Sequence, residues 1–206
     1  MKNTKIKICG VVDVRTAVSA ERLGADAIGL VFCKKSKRCI SVEEAKEVIH
    51  SLQPFTSIVA LFSNDEEDYV QNILSELKVN LIQFHGDEND EYCTKYNLPY
   101  IKGISEINDG YKNLDYKFPN AKGFVVDSHE KDGIGGTGKT FDWSKGSFDT
   151  KKPIIIAGGL NCDNVKDAIK AFMPYGVDVS SGVESSPGIK DINLIEEFIE
   201  QIKNEE

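Results

Sequence analysis

Eight times along this chain a short apolar run is followed by a stretch with helical spacing, and that alternation limits the possible folds more than any other feature. The apolar runs fall at 6–9, 27–32, 57–62, 81–84, 99–102, 123–127, 153–157 and 177–180. Runs such as AIGLVF and PIIIA lack polar alternation, the pattern of strands buried on both faces. Helix signals stand between them. Asp13 and Gly24 bracket one helix, and Ser41 with Glu44 three residues on forms a capping box for the next. Asn64 or Asp65, Asp87, Asn161 and Asp191 are expected to open others. Alternating β and α units build a parallel sheet, and eight of them favour closure into a (β/α)8 TIM barrel, with 1–206 as one domain. The competing open, doubly wound sheet should carry G-x-G-x-x-G after its first strand, and Cys9-Gly10-Val11-Val12-Asp13 does not match.

Charge narrows the partners. The chain carries a net charge of −8, which disfavours nucleic acid and anionic membrane surfaces. One basic concentration, Lys34, Lys35, Lys37 and Arg38, stands out against that background as a local attractor for a small anion or as a solvated loop. No apolar stretch approaches the roughly 18 residues of a membrane span. Met1 to Lys7 is polar and reads as no secretory signal, and the five cysteines show no CxxC pair. Reduced thiols and a cytoplasmic setting are therefore expected.

In a barrel of this kind the chemistry sits at the C-terminal ends of the strands. Two glycine-bearing loops, Gly158-Gly159 and Ser180-Ser181-Gly182, follow the seventh and eighth runs and lead toward helices. Backbone N–H groups there suit a phosphate, although tight turns alone would also use glycines. Cys9 and Asp127 end strands well apart around the barrel and so point into one mouth. A thiolate, if nearby cations lower its pKa, and a carboxylic acid, if burial raises its pKa, form a base and an acid for proton transfer at adjacent carbons. A free cysteine is more often a small buried hydrophobe. Arg38 offers a fork for a carboxylate or phosphate, His85 reads first as a hydrogen-bonded wall residue, and Asp178 reads as a holder of the phosphate loop. No metal-ligand cluster is read.

The segment Gly133 to Thr140 fits G-x-x-x-x-G-K-[ST] letter for letter. A true P-loop joins a strand directly to a long helix, whereas here five residues separate the motif from the strand and no full helix fits after it. The stretch from Ser128 to Asp142 reads instead as a flap over the mouth, hinged on its glycines.

The ordered set of motifs resembles the phosphoribosylanthranilate isomerase family of tryptophan biosynthesis. It comprises Lys7-Ile8-Cys9-Gly10, Gly24 to Gly29 with Lys35 to Arg38 and Ile40-Ser41, Gln83-Phe84-His85-Gly86, Gly135 to Trp143, Gly158 to Asn161, Asp178 to Glu184 and Pro187-Gly188. The region from Asn97 to Lys122 carries little of it, and Cys33, Cys39 and Thr137 depart from the expected pattern. The resemblance implies an Amadori rearrangement of N-(5-phosphoribosyl)anthranilate to the carboxyphenylamino-deoxyribulose 5-phosphate. By the same resemblance Asp127 protonates the ring oxygen, Cys9 removes the C2 proton, Arg38 faces the anthranilate carboxylate and the glycine loops hold the phosphate. Ring opening and proton shuttling need only an acid and a base, so no metal, nucleotide or redox cofactor is expected. The partner is a small phosphorylated sugar–anthranilate molecule, and a monomer is expected, with a dimer as the alternative.

The rival activities belong to other phosphosugar barrels. An isomerase of the histidine-pathway type should place an aspartate where Cys9 stands, and an indoleglycerol-phosphate synthase should show a lysine acid near a strand end. A barrel that only binds a phosphorylated ligand would not need both Cys9 and Asp127.

Overall fold

The computed structural model describes residues 4–105, 112–127 and 148–203. The flap proposed for 128–142, with the P-loop-like motif, lies outside them. Each apolar run forms a strand: β1 (Lys5–Cys9), β2 (Ala27–Val31), β3 (Ser57–Phe62), β4 (Leu81–Phe84), β5 (Tyr100–Ser105), β6 (Phe124–Asp127), β7 (Ile154–Ala157) and β8 (Gly176–Val179). They pair in parallel in chain order, and β8 returns to β1 to close the barrel. The register places Lys7 beside Asp178 and Cys9 beside Gly29. Helices α1 (Val14–Leu23), α2 (Val42–Ser51), α3 (Glu67–Glu76), α4 (Asp90–Cys93), α5 (Leu114–Lys117), α6 (Val165–Phe172) and α7 (Ile192–Lys203) follow the strands. None of the described helices is long and apolar enough to cross a membrane.

Strand periodicity sorts the side chains into two sets. Outward-facing Ile6, Ile8, Ile28, Leu30, Phe62, Phe84 and Phe124 are buried beneath the helices in one continuous core. Inward-facing Ile101, Val125 and Ala157 form a smaller cluster inside the barrel. Above that cluster the inward positions turn polar, with Lys7, Gln83 and Asp178 all buried. Burying such groups is costly unless they are paired, so this layer marks where the fold has been spent on something other than stability.

Several helix starts differ from expectation, for one physical reason. Asp13 and Ser41 cap α1 and α2 as read, the latter through the full capping box. Neither Asn64 nor Asp65 caps α3, which begins after Glu66 without a side-chain cap. Asn64 is left-handed (φ 55°), and its Oδ1 accepts from the Asp87 N–H at 2.7 Å, while Asp65 accepts from the Ser63 N–H at 3.0 Å. Asn64 thus ties one mouth loop to the next and Asp65 closes its own turn, and neither starts a helix. Asn89, not Asp87, caps α4, which passes at Thr94 into a single 3-10 turn. Asn161 stabilises the turn before α6 through the Asp163 and Asn164 N–H groups, so that helix starts at Val165. The extra short helix after β8 is a 3-10 turn over Ser181–Val183. An unforeseen antiparallel hairpin, β9 (Glu184–Ser186) and β10 (Ile189–Lys190), follows it.

Candidate active site

The C-terminal ends of the strands enclose a cavity of about 430 Å³. Cys9, Arg38, His85, Asp127, Gly158, Gly159, Asp178, Ser180 and Ser181 all line it, although they come from six different strand ends. Gly182 lies behind the wall. A Cβ there would fall 1.8 Å from the Leu160 carbonyl oxygen, so its place in the fold is close packing between the two glycine loops.

On one side stands the thiol. Cys9 is 6% exposed and has Lys7 two residues below it on the same face of β1. The Lys7 ammonium reaches Asp178 Oδ2 at 2.8 Å, with both side chains buried. Asp178 Oδ1, also buried, makes no hydrogen bond among the described residues. Lowering of the thiol pKa by nearby cations is not what this geometry produces. Burial pushes the Cys9 thiol up, and Lys7 and Lys190 offset this only in part.

Across the mouth stands Asp127, whose Oδ2 lies 3.3 Å from His85 Nε2. The other ring nitrogen, Nδ1, lies 3.0 Å from Gln83 Nε2. A Gln83 amide N–H donating to Nδ1 would leave the ring proton on Nε2, the nitrogen that faces the Asp127 carboxyl. His85 has to reach past β5 to do this. A Cβ on Gly103 would lie 2.5 Å from His85 Nδ1, so only glycine leaves room for the imidazole. Gln83, fully buried, ends a strand that the sequence marks as part of the mouth, but its role as the imidazole's anchor was not foreseen.

Arg38 is held by a bidentate pair with Glu184, Nε to Oε1 at 2.6 Å and Nη2 to Oε2 at 2.8 Å. Lys190 reaches the same carboxylate at 2.7 Å and the Ser180 carbonyl at 3.0 Å. Burial opposes ionisation of Glu184, but hydrogen bonds from Arg38 and Lys190 prevail and hold its carboxyl at about 2. Arg38 is thereby aimed while Nη1 makes no hydrogen bond among the described residues. Neither Glu184 nor Lys190 was singled out from sequence. Glu184 stood within a recognised motif, and Lys190 carried no local signal. The glycine loops meet beside this cluster, with Gly158 and Gly159 both left-handed (φ 79° and 66°). Among the described residues no group of three or more His, Cys, Asp or Glu side chains forms a metal-holding cluster.

Fold and mouth together define the class: a (β/α)8 barrel with a thiol and a carboxylate facing one cavity, beside glycine loops suited to an anion. Comparison with known proteins gives the particular family. Residues 6–201 match the family model of N-(5'-phosphoribosyl)anthranilate (PRA) isomerase. A relative from Xylella fastidiosa (strain 9a5c), named N-(5'-phosphoribosyl)anthranilate isomerase, is 42% identical over 205 residues, covering 97% of this chain and 92% of the relative. The crystal structure of phosphoribosyl anthranilate isomerase from Thermotoga maritima superposes with a TM-score of 0.86 at 37% identity, covering 98% of this chain and 99% of that one. A further isomerase structure, in complex with reduced 1-(o-carboxyphenylamino)-1-deoxyribulose 5-phosphate, gives a TM-score of 0.81 at 35% identity over 98% and 99% of the two chains. The chain belongs to the N-(5'-phosphoribosyl)anthranilate isomerase family, and its activity is that isomerisation in tryptophan biosynthesis.

Proposed function

We propose that Asp127 and Cys9 carry the isomerisation as general acid and general base. The observation behind this is their placement: a carboxyl ending β6 and a thiol ending β1 both face the one cavity, from different sides. Asp127 gives its proton to the ribose ring oxygen, and the ring opens to a Schiff base. Cys9 then takes the proton from C2, and the resulting enolamine relaxes to the ketone. His85 orients the Asp127 carboxyl, and Arg38, braced by Glu184, directs its remaining guanidinium edge at the anthranilate carboxylate. The loops at Gly158-Gly159 and Ser180-Ser181 take the phosphate. A relative's complex with a ligand bearing a carboxylate and a phosphate supports this two-ended reading.

The test is loss of anthranilate fluorescence on incubation with freshly prepared phosphoribosylanthranilate. Cys9→Ser and Asp127→Asn should each lower kcat by about 10²–10⁴-fold with folding intact by circular dichroism. Asp178 carries its side-chain bond to Lys7 and none to the phosphate loop among the described residues, so Asp178→Asn should cost far less turnover than Asp127→Asn. A nearly active Asp127→Asn beside a dead, folded Asp178→Asn would reverse the assignment of the acid. Because the thiol sits above its ordinary value, the base-dependent rate should keep climbing on the alkaline side beyond the usual thiol range.

A further inference from the structure

We propose that Lys7 is a positioning residue of this reaction: its ammonium, fixed on Asp178 beneath the Cys9 thiol, is the counter-charge on which the thiolate form of Cys9 depends. The inference rests on Cys9 as the base.

The geometry starts with β1. Lys7 and Cys9 point inward, two residues apart, and meet over Gly29 of β2. A Cβ at Gly29 would lie 2.9 Å from Cys9 Sγ and 3.1 Å from Lys7 Cε, so the glycine is the space in which thiol and lysine come together. Lys7 does not line the cavity and is 4% exposed, so it acts on the substrate only through its neighbours. A lysine at this depth has no stability argument in its favour. A buried ion pair repays its desolvation poorly, and apolar residues of similar volume do as well or better. The pair is also incompletely satisfied, since Asp178 Oδ1 stays unpartnered among the described residues.

The charges around the thiol explain what the pair does. Lys7 comes from β1, Asp178 from β8, Lys190 from β10, and Arg38 and Glu184 from the neighbouring loop and hairpin. Gly29 on β2 adds none. Three cations thus face two carboxylates, leaving one positive charge unmatched while Cys9 is a thiol. Ionising Cys9 completes the balance. The surplus positive charge lies in the Arg38–Lys190–Glu184 cluster, since Lys7 is paired with Asp178; Lys7 answers the new charge by proximity, because it shares with the thiol the space over Gly29. It offsets the burial that pushes the thiol up, while Asp178 works against it. Asp178 therefore anchors Lys7 and moderates its effect.

Opposite signs make the test. Thiolate absorbance in the ultraviolet, taken on substrate-free enzyme as a difference against Cys9→Ser, reports ionisation of Cys9 alone. Lys7→Met should raise its titration by about one pH unit or more, and Asp178→Asn should lower it by a similar amount. The double variant Lys7→Met/Asp178→Asn strands no buried carboxylate and should still titrate above wild type. The pH profile of kcat/KM should move with the titration in each variant. Shifts in the same direction, or none, would overturn the role of Lys7. If the titrations shift as stated while Cys9→Ser remains active, the coupling of Lys7 to the thiol stands and the assignment of Cys9 as base fails.

Discussion

Substituting Gly103 by Ala tests whether the His85–Asp127 contact matters to turnover without touching either residue. The new methyl would stand 2.5 Å from His85 Nδ1, 3.0 Å from its Cγ and 3.1 Å from its Cα. The crowded atoms are ring and backbone, not the end of a flexible chain, so the imidazole has to leave its position by several tenths of an ångström at least. That breaks the 3.0 Å contact with Gln83 and the 3.3 Å contact with Asp127. A neutral hydrogen bond contributes about 1 kcal/mol and one to a charged group about 1.5–3 kcal/mol. If the Asp127 contact is made in the transition state, kcat/KM should fall about 10–100-fold. Overpacking at the barrel rim should cost roughly 1–3 kcal/mol of stability, which a thermal melt will show. Steady-state fluorescence kinetics on Gly103→Ala, His85→Ala and the double variant then form a cycle. The double variant should be no worse than His85→Ala, because the methyl acts only through the ring it displaces. Additive losses, or a folded Gly103→Ala within threefold of wild-type kcat/KM, would refute the reasoning.

Two further outcomes follow from the Arg38–Glu184–Lys190 cluster. Arg38→Met should raise KM about 10–100-fold, the equivalent of a lost charged hydrogen bond, and a KM within about twofold of wild type would place the substrate carboxylate elsewhere. Glu184 is held at about 2 against an ordinary 4.5, so its ionised form adds stability that is present above the unfolded value and lost as pH falls from 4.5 toward 2. Chemical denaturation across that window should show a steeper loss in wild type than in Glu184→Gln, and equal slopes would remove the cluster from the account of acid stability.

The barrel was legible in the sequence because its signals are local. Strand periodicity, the Ser41–Glu44 capping box, the Asp13 cap and the terminal helix from Asp191 each depend on residues a few places apart, and each formed as read. Strand ends also told which residues reach the mouth, since β-then-α order and barrel closure place every C-terminal end on one side. Helix starts after β3, β4 and β7 were misread because Asn64, Asp65 and Asn161 spend their side chains on loop contacts that pattern alone does not separate from caps. The partners of the site residues were decided by tertiary structure alone. Lys7 meets Asp178 across 171 positions and Arg38 meets Glu184 across 146, contacts that exist only because closure of the barrel brings β8 and its hairpin beside β1 and β2. The state of the Cys9 thiol was decided the same way: the sequence left a lowered pKa conditional on cations near the thiol, but depth in the barrel sets the desolvation cost, and that depth belongs to the fold.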